Sequence, residues 1–217
     1  MKYRCLVVDH DDTVVNSTAT VHYPCFIQYC EEFVPHYRCT LEEYFLKNFH
    51  PGVVPFFRDE VGLGEAGMLH EQAYWNAYVQ DHVPRAYPGM ADVLWRQKRL
   101  GGLLCVVSHS YGRNILRDFE ANGLPEPDGV YGWEYPPEQR KPRPYALHDI
   151  MRRFSLRPED LLVLDDLKPG YDMARACGVR FAAAGWANDI PEIEGFMRQN
   201  CDLYFKTVPE LQEYLFD

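Results

Sequence analysis

The sequence predicts an α/β protein with a mostly parallel sheet and a helical module inserted after the first strand. Three observations predict this. Short apolar runs are typical of buried strands, helical patterns separate them, and the stretch from residue 17 to residue 87 contains no convincing strand. The chain has 217 residues and is 47% hydrophobic, which is enough to build a sizeable core.

The predicted strands are short apolar runs bounded by polar or turn-forming residues. Their residues are 5–8, 103–107, 161–164, 179–184 and 203–205, with a further short strand at 130–131. Helical patterns lie between them, at residues 89–100, 110–122, 144–154 and 170–177. Gly101, Gly123 and Gly178 stand where helix C-caps favour glycine, and Pro144 suits a first helical position. Strands that alternate with helices predict parallel pairing through right-handed crossovers.

Residues 17–87 are predicted to form a helical cap domain, and residues 1–16 with 88–217 the α/β core domain. Thr40 and Glu43 form a capping-box pattern that opens a helix, and residues 68–83 carry another helical pattern. Prolines break the rest of this stretch into short pieces. Small helical modules beside an α/β core often act as lids that exclude water, and we expect that role here.

Composition excludes several classes of partner. A formal net charge of −10 argues against broad binding to nucleic acid or anionic membranes. No apolar stretch is long enough to span a bilayer, and the N-terminus leads directly into a core strand, unlike a signal peptide. Seven cysteines without a C-x-x-C pair predict a reduced, cytoplasmic protein. One zinc alternative stays open, although its spacings match no standard pattern: His22, Cys25, Cys30, His36 and Cys39.

Polar residues follow three of the predicted strands. Asp9 and Asp11 come after the first strand, Ser108 after the second, and Asp165-Asp166 after the strand at 161–164. Each has a structural explanation when taken alone, since Ser108 could cap a helix and the acidic pair could face a helix dipole. Because the carboxyl ends of parallel strands share one edge of the sheet, we expect these groups to converge in one crevice.

The converging groups form a coherent chemical set, which Lys141 completes from the loop before a predicted helix. Several carboxylates suit Mg²⁺, and a carboxylate can act as a nucleophile toward phosphorus. A second carboxylate can protonate the leaving oxygen and then deprotonate water. A lysine and a hydroxyl can hold the phosphoryl oxygens while their charge redistributes.

In this order and spacing, the chain resembles the haloacid dehalogenase-like hydrolase superfamily. The motifs are Asp9-x-Asp11-x-Thr13, Ser108, Lys141-Pro142-Arg143-Pro144, and Asp165-Asp166 with the helix that follows from Gly170. Tyr87-Pro88-Gly89-Met90 looks like the return from the helical cap in the phosphoglycolate phosphatase and β-phosphoglucomutase branch. The resemblance implies a doubly wound, Rossmann-like core and a Mg²⁺-dependent phosphatase that forms an aspartyl-phosphate intermediate on a small phosphorylated metabolite.

The resemblance also implies residue roles. Asp9 would be the nucleophile and a Mg²⁺ ligand, and Asp11 the general acid/base with its backbone carbonyl on the metal. Asp166 would ligate Mg²⁺ directly, and Asp165 would ligate it or orient its water. Lys141 would stabilise the nucleophile and the transferring group. The predicted substrate-binding residues are Ser108, His109, Lys141 and His22.

The sequence departs from the family pattern at three places, one of them a pair of residues. Asp12 stands where the family usually has glycine, and Asp tolerates a left-handed backbone better than most residues. His109 stands where the family often has Asn, and Lys168-Pro169 where small polar residues are common. These departures leave the chemistry in place and bear on specificity.

Alternatives remain open at this point. The acid at Asp11 favours phosphate-ester chemistry over dehalogenation, yet a phosphomutase needs the same acid. A phospho-acceptor signalling domain carries similar groups but in a different chain order, and a catalytically idle scaffold would keep the fold alone. The chain could be a monomer or a homodimer. Further candidates for cap contacts or pocket walls are Lys47, His50, Arg58, Tyr23, Phe49, Phe56 and Trp186.

Overall fold

The computed structural model describes residues 1–217 and confirms the predicted fold class. Six strands form one sheet in which every neighbouring pair is parallel. The strands are β1 Cys5–Val8, β2 Leu103–Val107, β3 Gly129–Tyr131, β4 Leu161–Asp165, β5 Arg180–Ala184 and β6 Leu203–Phe205. All six were predicted, with bounds that differ by a residue at β3, β4 and β5.

The strand order β3-β2-β1-β4-β5-β6 makes the sheet doubly wound. The chain runs outward from β1 to β3, then returns to the other side of β1 and runs outward again to β6. The order therefore reverses between β1 and β4, whose carboxyl ends are neighbours. In open α/β sheets this switch point is where ligands bind.

Helices connect the strands of the α/β unit and pack on the sheet. They are α5 Met90–Arg99, α6 Gly112–Ala121, α7 Tyr145–Phe154, α8 Lys168–Ala176, α9 Pro191–Asn200 and α10 Val208–Phe216. Four of them were predicted, and α9 and α10 were not. Both missed helices carry a start signal, since proline occupies the first turn of each and Thr207 with Glu210 forms a capping box before α10.

The core of the α/β unit lies between the sheet and its helices. Leu6, Val106 and Leu164 of the central strands pack with Leu94 of α5 and Ile115 of α6, and all five side chains are fully or almost fully buried. Burying one such side chain contributes about 1.5–3 kcal/mol. This apolar core keeps the strand ends in register and so positions the polar residues that follow them.

The chain divides into two compact units, Met1–Asn16 with Arg85–Asp217, and Ser17–Pro84. The sequence placed the second junction after Tyr87, and the structure places it earlier. Asn16 N donates to Arg85 O at 2.9 Å, Tyr87 N donates to Val14 O at 3.0 Å, and Val15 bridges Ala86. Residues 85–87 therefore belong to the α/β unit, because their backbone groups pair with residues 14–16.

The second unit, residues 17–84, is entirely helical and is called the helical unit below. It contains a π-turn Thr18–His22, α1 Tyr23–Phe33, α2 Leu41–Phe49, the single turn α3 Val53–Pro55, a π-turn Phe56–Glu60 and α4 Glu65–Tyr78. The predicted capping box is present, since Glu43 N donates to Thr40 Oγ1 and Thr40 N to Glu43 Oε2. The helix predicted over 68–83 instead begins at Glu65 and ends at Tyr78.

An aromatic cluster forms the core of the helical unit. The ring of Phe26 lies 5.1 Å from the rings of both Tyr44 and Phe57, and Phe56 is fully buried beside them. Aromatic pairs at such distances contribute about 0.5–1.5 kcal/mol beyond their buried area. None of the helices in the protein has the length and apolar character needed to cross a membrane.

Candidate active site

A tight turn follows β1 and carries the first predicted site residues. His10 O accepts from Val14 N at 3.0 Å and Val15 N at 3.1 Å, and Asp12 N donates to Val15 O at 2.7 Å. Asp12 has a φ of 57°, the left-handed conformation that its short polar side chain tolerates. The turn thus forms with Asp12 in place of the usual glycine. It leaves Asp9 at the end of β1, where its N–H donates to Leu164 O of β4.

Lys141 joins two of the predicted carboxylates. Its Nζ lies 2.7 Å from Asp9 Oδ1 and 2.7 Å from Asp165 Oδ2, and all three side chains are at most 4% exposed. A charge pair buried in this way is screened little by salt. Side chains from three distant parts of the chain therefore meet at the carboxyl ends of β1 and β4.

Asp165 is held firmly beside this lysine. Its Oδ1 accepts from Leu167 N at 2.8 Å while its Oδ2 accepts from Lys141. The start of α8 approaches the same carboxylate so closely that a Cβ at Gly170 would lie 2.1 Å from Asp165 Oδ2. Only a glycine allows that approach, so Gly170 has a structural reason to stand in this helix.

Asp166 completes a cluster of three acids. Carboxylate oxygens of Asp9, Asp165 and Asp166 all lie within 4.8 Å of one another, and all three residues are buried. Thr13 Oγ1 donates to Asp166 Oδ1 at 3.4 Å, which ties the turn after β1 to the end of β4. Trp186 Nε1 donates to the carbonyl of the same Thr13 at 3.1 Å.

The loop after β2 places two hydroxyls on Asp11. Ser108 Oγ and Ser110 Oγ donate to Asp11 Oδ2 at 3.2 Å and 2.7 Å, and Ser110 N donates to Ser108 Oγ. Helix α6 begins only at Gly112, with Tyr111 at its N-cap, so Ser108 does not cap it. Ser110 was not among the predicted site residues. Its signal was a second hydroxyl two residues after the first, on the same strand-to-helix loop.

His109 forms a hydrogen bond with the backbone of Lys141. Its Nε2 lies 2.8 Å from Lys141 O, and because a carbonyl only accepts, this nitrogen carries the proton. Burial, followed by the charge of Lys141, lowers the pKa of His109 to about 4. His109 is therefore a neutral imidazole near pH 7 and adds no positive charge for a phosphoryl group.

Burial also governs the charges of the acids. The pKa of Asp9 is raised to about 7: burial is the largest cause, Lys141 opposes the rise, and the carboxylates of Asp165 and Asp11 add to it. Burial, followed by the charges of Asp12, Asp165 and Asp9, holds the pKa of Asp166 well above its ordinary value. Burial alone would lower the pKa of Lys141, yet Asp165 and Asp9 together raise it above the usual range.

These shifts describe a site with too much buried negative charge. Lys141 offsets only part of the charge that Asp9, Asp165 and Asp166 would carry when ionised. A hard divalent cation relieves this imbalance, and Mg²⁺ binds through a few carboxylates, water and substrate phosphate. The donor set therefore fits the Mg²⁺ that the sequence predicts.

The candidates in the helical unit have partners there. His22 Nδ1 accepts from Trp75 Nε1 at 3.0 Å, Lys47 pairs with Glu60 at 2.6 Å, and Arg58 pairs with the neighbouring Asp59. Phe56 is a core residue of the unit, so it does not line a pocket. The alternative zinc set does not form a group with metal-ligand spacing, and all seven cysteines are free thiols.

Comparison with known proteins gives a consistent result. A family model described as haloacid dehalogenase-like hydrolase matches residues 6–184. The chain is 31% identical over 116 residues to phosphoglycolate phosphatase 1 of Pseudomonas aeruginosa, a match that spans 51% of this chain and 41% of that protein.

Similar solved structures share the fold along nearly the whole chain. A putative haloacid dehalogenase-like hydrolase from Bacteroides fragilis has a TM-score of 0.79 at 21% identity, covering 97% of this chain and 100% of that one. A putative phosphoglycolate phosphatase from Lactobacillus plantarum has a TM-score of 0.75 at 21% identity, and the match covers 98% of this chain and 99% of that one. CbbY from Rhodobacter sphaeroides, solved in complex with phosphate, has a TM-score of 0.72 at 20% identity, and the match covers 96% of each chain.

Proposed function

The chain belongs to the haloacid dehalogenase-like hydrolase family, and from this premise we propose that it is a Mg²⁺-dependent phosphatase. In this proposal it hydrolyses a small phosphorylated metabolite through an aspartyl-phosphate intermediate at Asp9. The observation that carries the proposal is Lys141 Nζ at 2.7 Å from both Asp9 and Asp165, with Asp166 in the same acidic cluster. This set supplies a nucleophile, a fixed cation and a metal site at one sheet edge.

Asp9, Asp166 and the backbone carbonyl of Asp11 would hold the Mg²⁺ ion. When bound, the ion would neutralise charge between the nucleophile and the substrate phosphate. Asp165 was predicted to ligate the metal or orient its water. Both of its oxygens already accept hydrogen bonds, from Lys141 and Leu167, which favours a role in orienting Lys141 and the metal's water.

The covalent step begins at Asp9. An oxygen of its carboxylate forms a bond to phosphorus while the bond from phosphorus to the leaving oxygen breaks. Asp11 donates a proton to that leaving oxygen, and then removes a proton from the water that hydrolyses the acyl phosphate. Lys141 holds the carboxylate and the transferring phosphoryl oxygens in place.

Ser108 changes partner in this scheme. Its hydroxyl donates to Asp11 in the structure and would turn to a phosphoryl oxygen of the substrate. Ser110 then keeps its shorter bond to Asp11 and holds the acid in position. His109 contributes by holding the Lys141 backbone, and any contact it makes with substrate would be as a neutral group.

The relatives support a proposal for the substrate class. The curated relative is a phosphoglycolate phosphatase, and a variant of CbbY was solved in complex with xylulose-1,5-bisphosphate. We therefore place the substrate among small phosphorylated acids and sugars. The proposed contact of His22 with substrate remains a prediction.

Phosphate release from a panel of such compounds tests the function directly. With Mg²⁺, we expect repeated turnover of at least one of phosphoglycolate, sugar phosphates and p-nitrophenyl phosphate, and none with excess chelator. Asp9→Asn should abolish release without unfolding the chain, and the exposed Asp81→Asn should not change it. Release of no more than one phosphate per chain would instead indicate a phospho-acceptor domain, and an active Asp9→Asn variant would contradict the mechanism.

A further inference from the structure

A buried polar pair lies behind the turn that carries the catalytic aspartates. His10, the residue between Asp9 and Asp11, places its Nε2 3.0 Å from Asp118 Oδ2 on α6. Both side chains are almost completely buried, at 1% and 4% exposure. None of the chemical steps above uses either residue. The pair joins positions that are 108 residues apart in the chain.

Asp118 is itself fixed from the other side. Arg117 Nε and Nη2 both donate to Asp118 Oδ1, at 2.8 Å and 2.6 Å. The two oxygens of Asp118 therefore hold different partners, and the one facing His10 accepts the ring N–H. The ring of Phe119 also stacks on His10, with centroids 6.0 Å apart. Together these contacts define both the position and the plane of the imidazole.

Helix α6 contacts three parts of the site's framework. It begins immediately after the loop that carries Ser108 and Ser110. One turn beyond Asp118, Asn122 donates to Asp118 O and accepts from Ala86 N, both at 2.8 Å. Ala86 pairs with Val15, the last residue of the turn 10–15 that follows Asp9 and is called the nucleophile turn below. Helix α6 thus links the loop that carries Ser108 and Ser110, called the serine loop, with the nucleophile turn and with the segment around Ala86 that pairs with this turn.

Stability alone does not account for His10. Its Nδ1 is buried and has no hydrogen-bond partner. A buried polar atom without a partner destabilises the fold, whereas an apolar ring of similar size would avoid that penalty. The ring of Phe119, an apolar core residue, lies against the imidazole. The feature that an apolar ring could not reproduce is the hydrogen bond to Asp118.

We propose that His10 is a positioning residue, and that its bond to Asp118 holds the nucleophile turn on α6. This inference rests on the phosphatase function proposed above. His10 is covalently joined to both Asp9 and Asp11, so fixing its ring fixes both carboxylates relative to the serine loop. Because displacements of about 1 Å can cost a hundredfold in rate, such a restraint has a kinetic effect.

Three variants separate positioning from stability. His10→Phe keeps an aromatic ring and removes the bond, Asp118→Leu removes the other partner, and the double variant removes both. Each single variant should lower both the melting temperature and kcat. Each single variant leaves one buried polar group without its partner, whereas the double variant removes both. The double variant should therefore recover stability. It should not recover kcat.

The expected size of the effect is a fall in kcat of about 10- to 100-fold in all three variants, with KM within about twofold of wild type. His10→Gln keeps an N–H that can reach Asp118, and should restore most of kcat. Gln97→Leu serves as the control, because Gln97 is a fully buried polar residue remote from the site that donates to Tyr3 O. It should lower stability and leave kcat unchanged.

Two results would overturn the inference. One is a kcat in the double variant that recovers together with its melting temperature, and the other is a kcat in His10→Phe within twofold of wild type. An inactive wild-type protein would refute the proposed function instead. The inference is then tested by measuring Mg²⁺ binding in the absence of substrate. A displaced turn should raise the dissociation constant for Mg²⁺ at least threefold in His10→Phe. An unchanged constant would overturn it.

Discussion

The aromatic core of the helical unit and the acidic cluster of the α/β unit are both buried, but the first consists of apolar rings and the second of carboxylates. Phe26, Tyr44, Phe56 and Phe57 pack ring against ring and gain stability from burial itself. Asp9, Asp165 and Asp166 are buried at a cost that Lys141 offsets only in part. The comparison shows where the sequence follows the hydrophobic effect and where it departs from it for chemistry.

The largest effect is expected from removing the cation of the acidic cluster. Lys141→Met leaves Asp9 and Asp165 buried without their shared partner, and breaking such a pair costs about 3–5 kcal/mol. In the proposed mechanism Lys141 holds the transferring phosphoryl group, so its loss should lower kcat at least about a hundredfold. Steady-state kinetics and thermal melts measure both effects.

The matched control for this variant is a surface lysine. Lys206 pairs with Asp189 at 2.5 Å in a largely exposed setting, where such pairs contribute about 0–1 kcal/mol. Lys206→Met should therefore change neither kcat nor the melting temperature appreciably. Equal effects of the two substitutions would show that the buried bridge has no special role.

In the aromatic core the expected loss is one of stability. Phe26→Ala removes a ring that contacts Tyr37, Tyr44, Phe56 and Phe57, and should destabilise the protein by about 3–5 kcal/mol. Leu69→Ala, at a side chain that is 69% exposed, should change stability little. Chemical denaturation measures the difference, and similar values for the two variants would contradict this account of the core.

A smaller effect is expected where α8 approaches the acidic cluster. The added methyl of Gly170→Ala would overlap Asp165 Oδ2 and should cost about 1–3 kcal/mol, with a lower kcat through displaced Lys141. Gly195→Ala in α9 is the control, because a Cβ there meets nothing within 4 Å. That substitution should stabilise the protein by about 0.5–1 kcal/mol. A neutral Gly170→Ala would show that the close approach is not required.

A pH-dependent stability is the last expected effect. Since the folded-state pKa values of Asp9 and Asp166 lie above those of an unfolded chain, their ionisation disfavours the folded state. Their contribution to stability is highest at acidic pH and is lost as pH rises from the ordinary Asp range through about 7. Mg²⁺ should reverse this loss, so the rise in melting temperature that it causes should grow from about pH 5.5 to about pH 8.

Asp166→Asn sharpens the same test. It removes one buried charge, so the chelated variant should melt at a higher temperature than chelated wild type near pH 8, and should respond less to Mg²⁺. Melting curves with Mg²⁺ and with chelator measure this. A variant less stable than wild type under chelation would contradict the electrostatic account of the site.

The apolar strands and the order of the motifs were predictable because both are local signals. Runs such as 103–107 identify strands directly, and parallel pairing then brings Asp9, Lys141 and Asp165 together. Asp12 was expected to tolerate a left-handed turn, and its φ of 57° agrees with that expectation. These inferences need only the chain order and the geometry of a parallel sheet.

Other features depend on partners that local patterns do not reveal. The hydrogen bond between His10 and Asp118 joins residues far apart in sequence, and no local pattern around either residue predicts it. His109 was predicted to contact substrate, and its bond to the Lys141 carbonyl, 32 residues away, could not be read from the sequence. Residues 85–87 were assigned to the wrong unit because their pairing with residues 14–16 is a tertiary contact.

The most direct test of the central claim is to trap the covalent intermediate. Asp11→Asn lacks the group that would protonate the leaving oxygen and then activate water. With p-nitrophenyl phosphate, whose p-nitrophenolate leaves without being protonated, a phosphoryl group on Asp9 should therefore accumulate after Mg²⁺ is added. Acid quenching followed by peptide mass spectrometry locates it. The account predicts phosphate on the peptide that contains Asp9 and none in a variant that also carries Asp9→Asn. Phosphate on another residue, or turnover in the wild-type protein with no covalent adduct in Asp11→Asn, would contradict it.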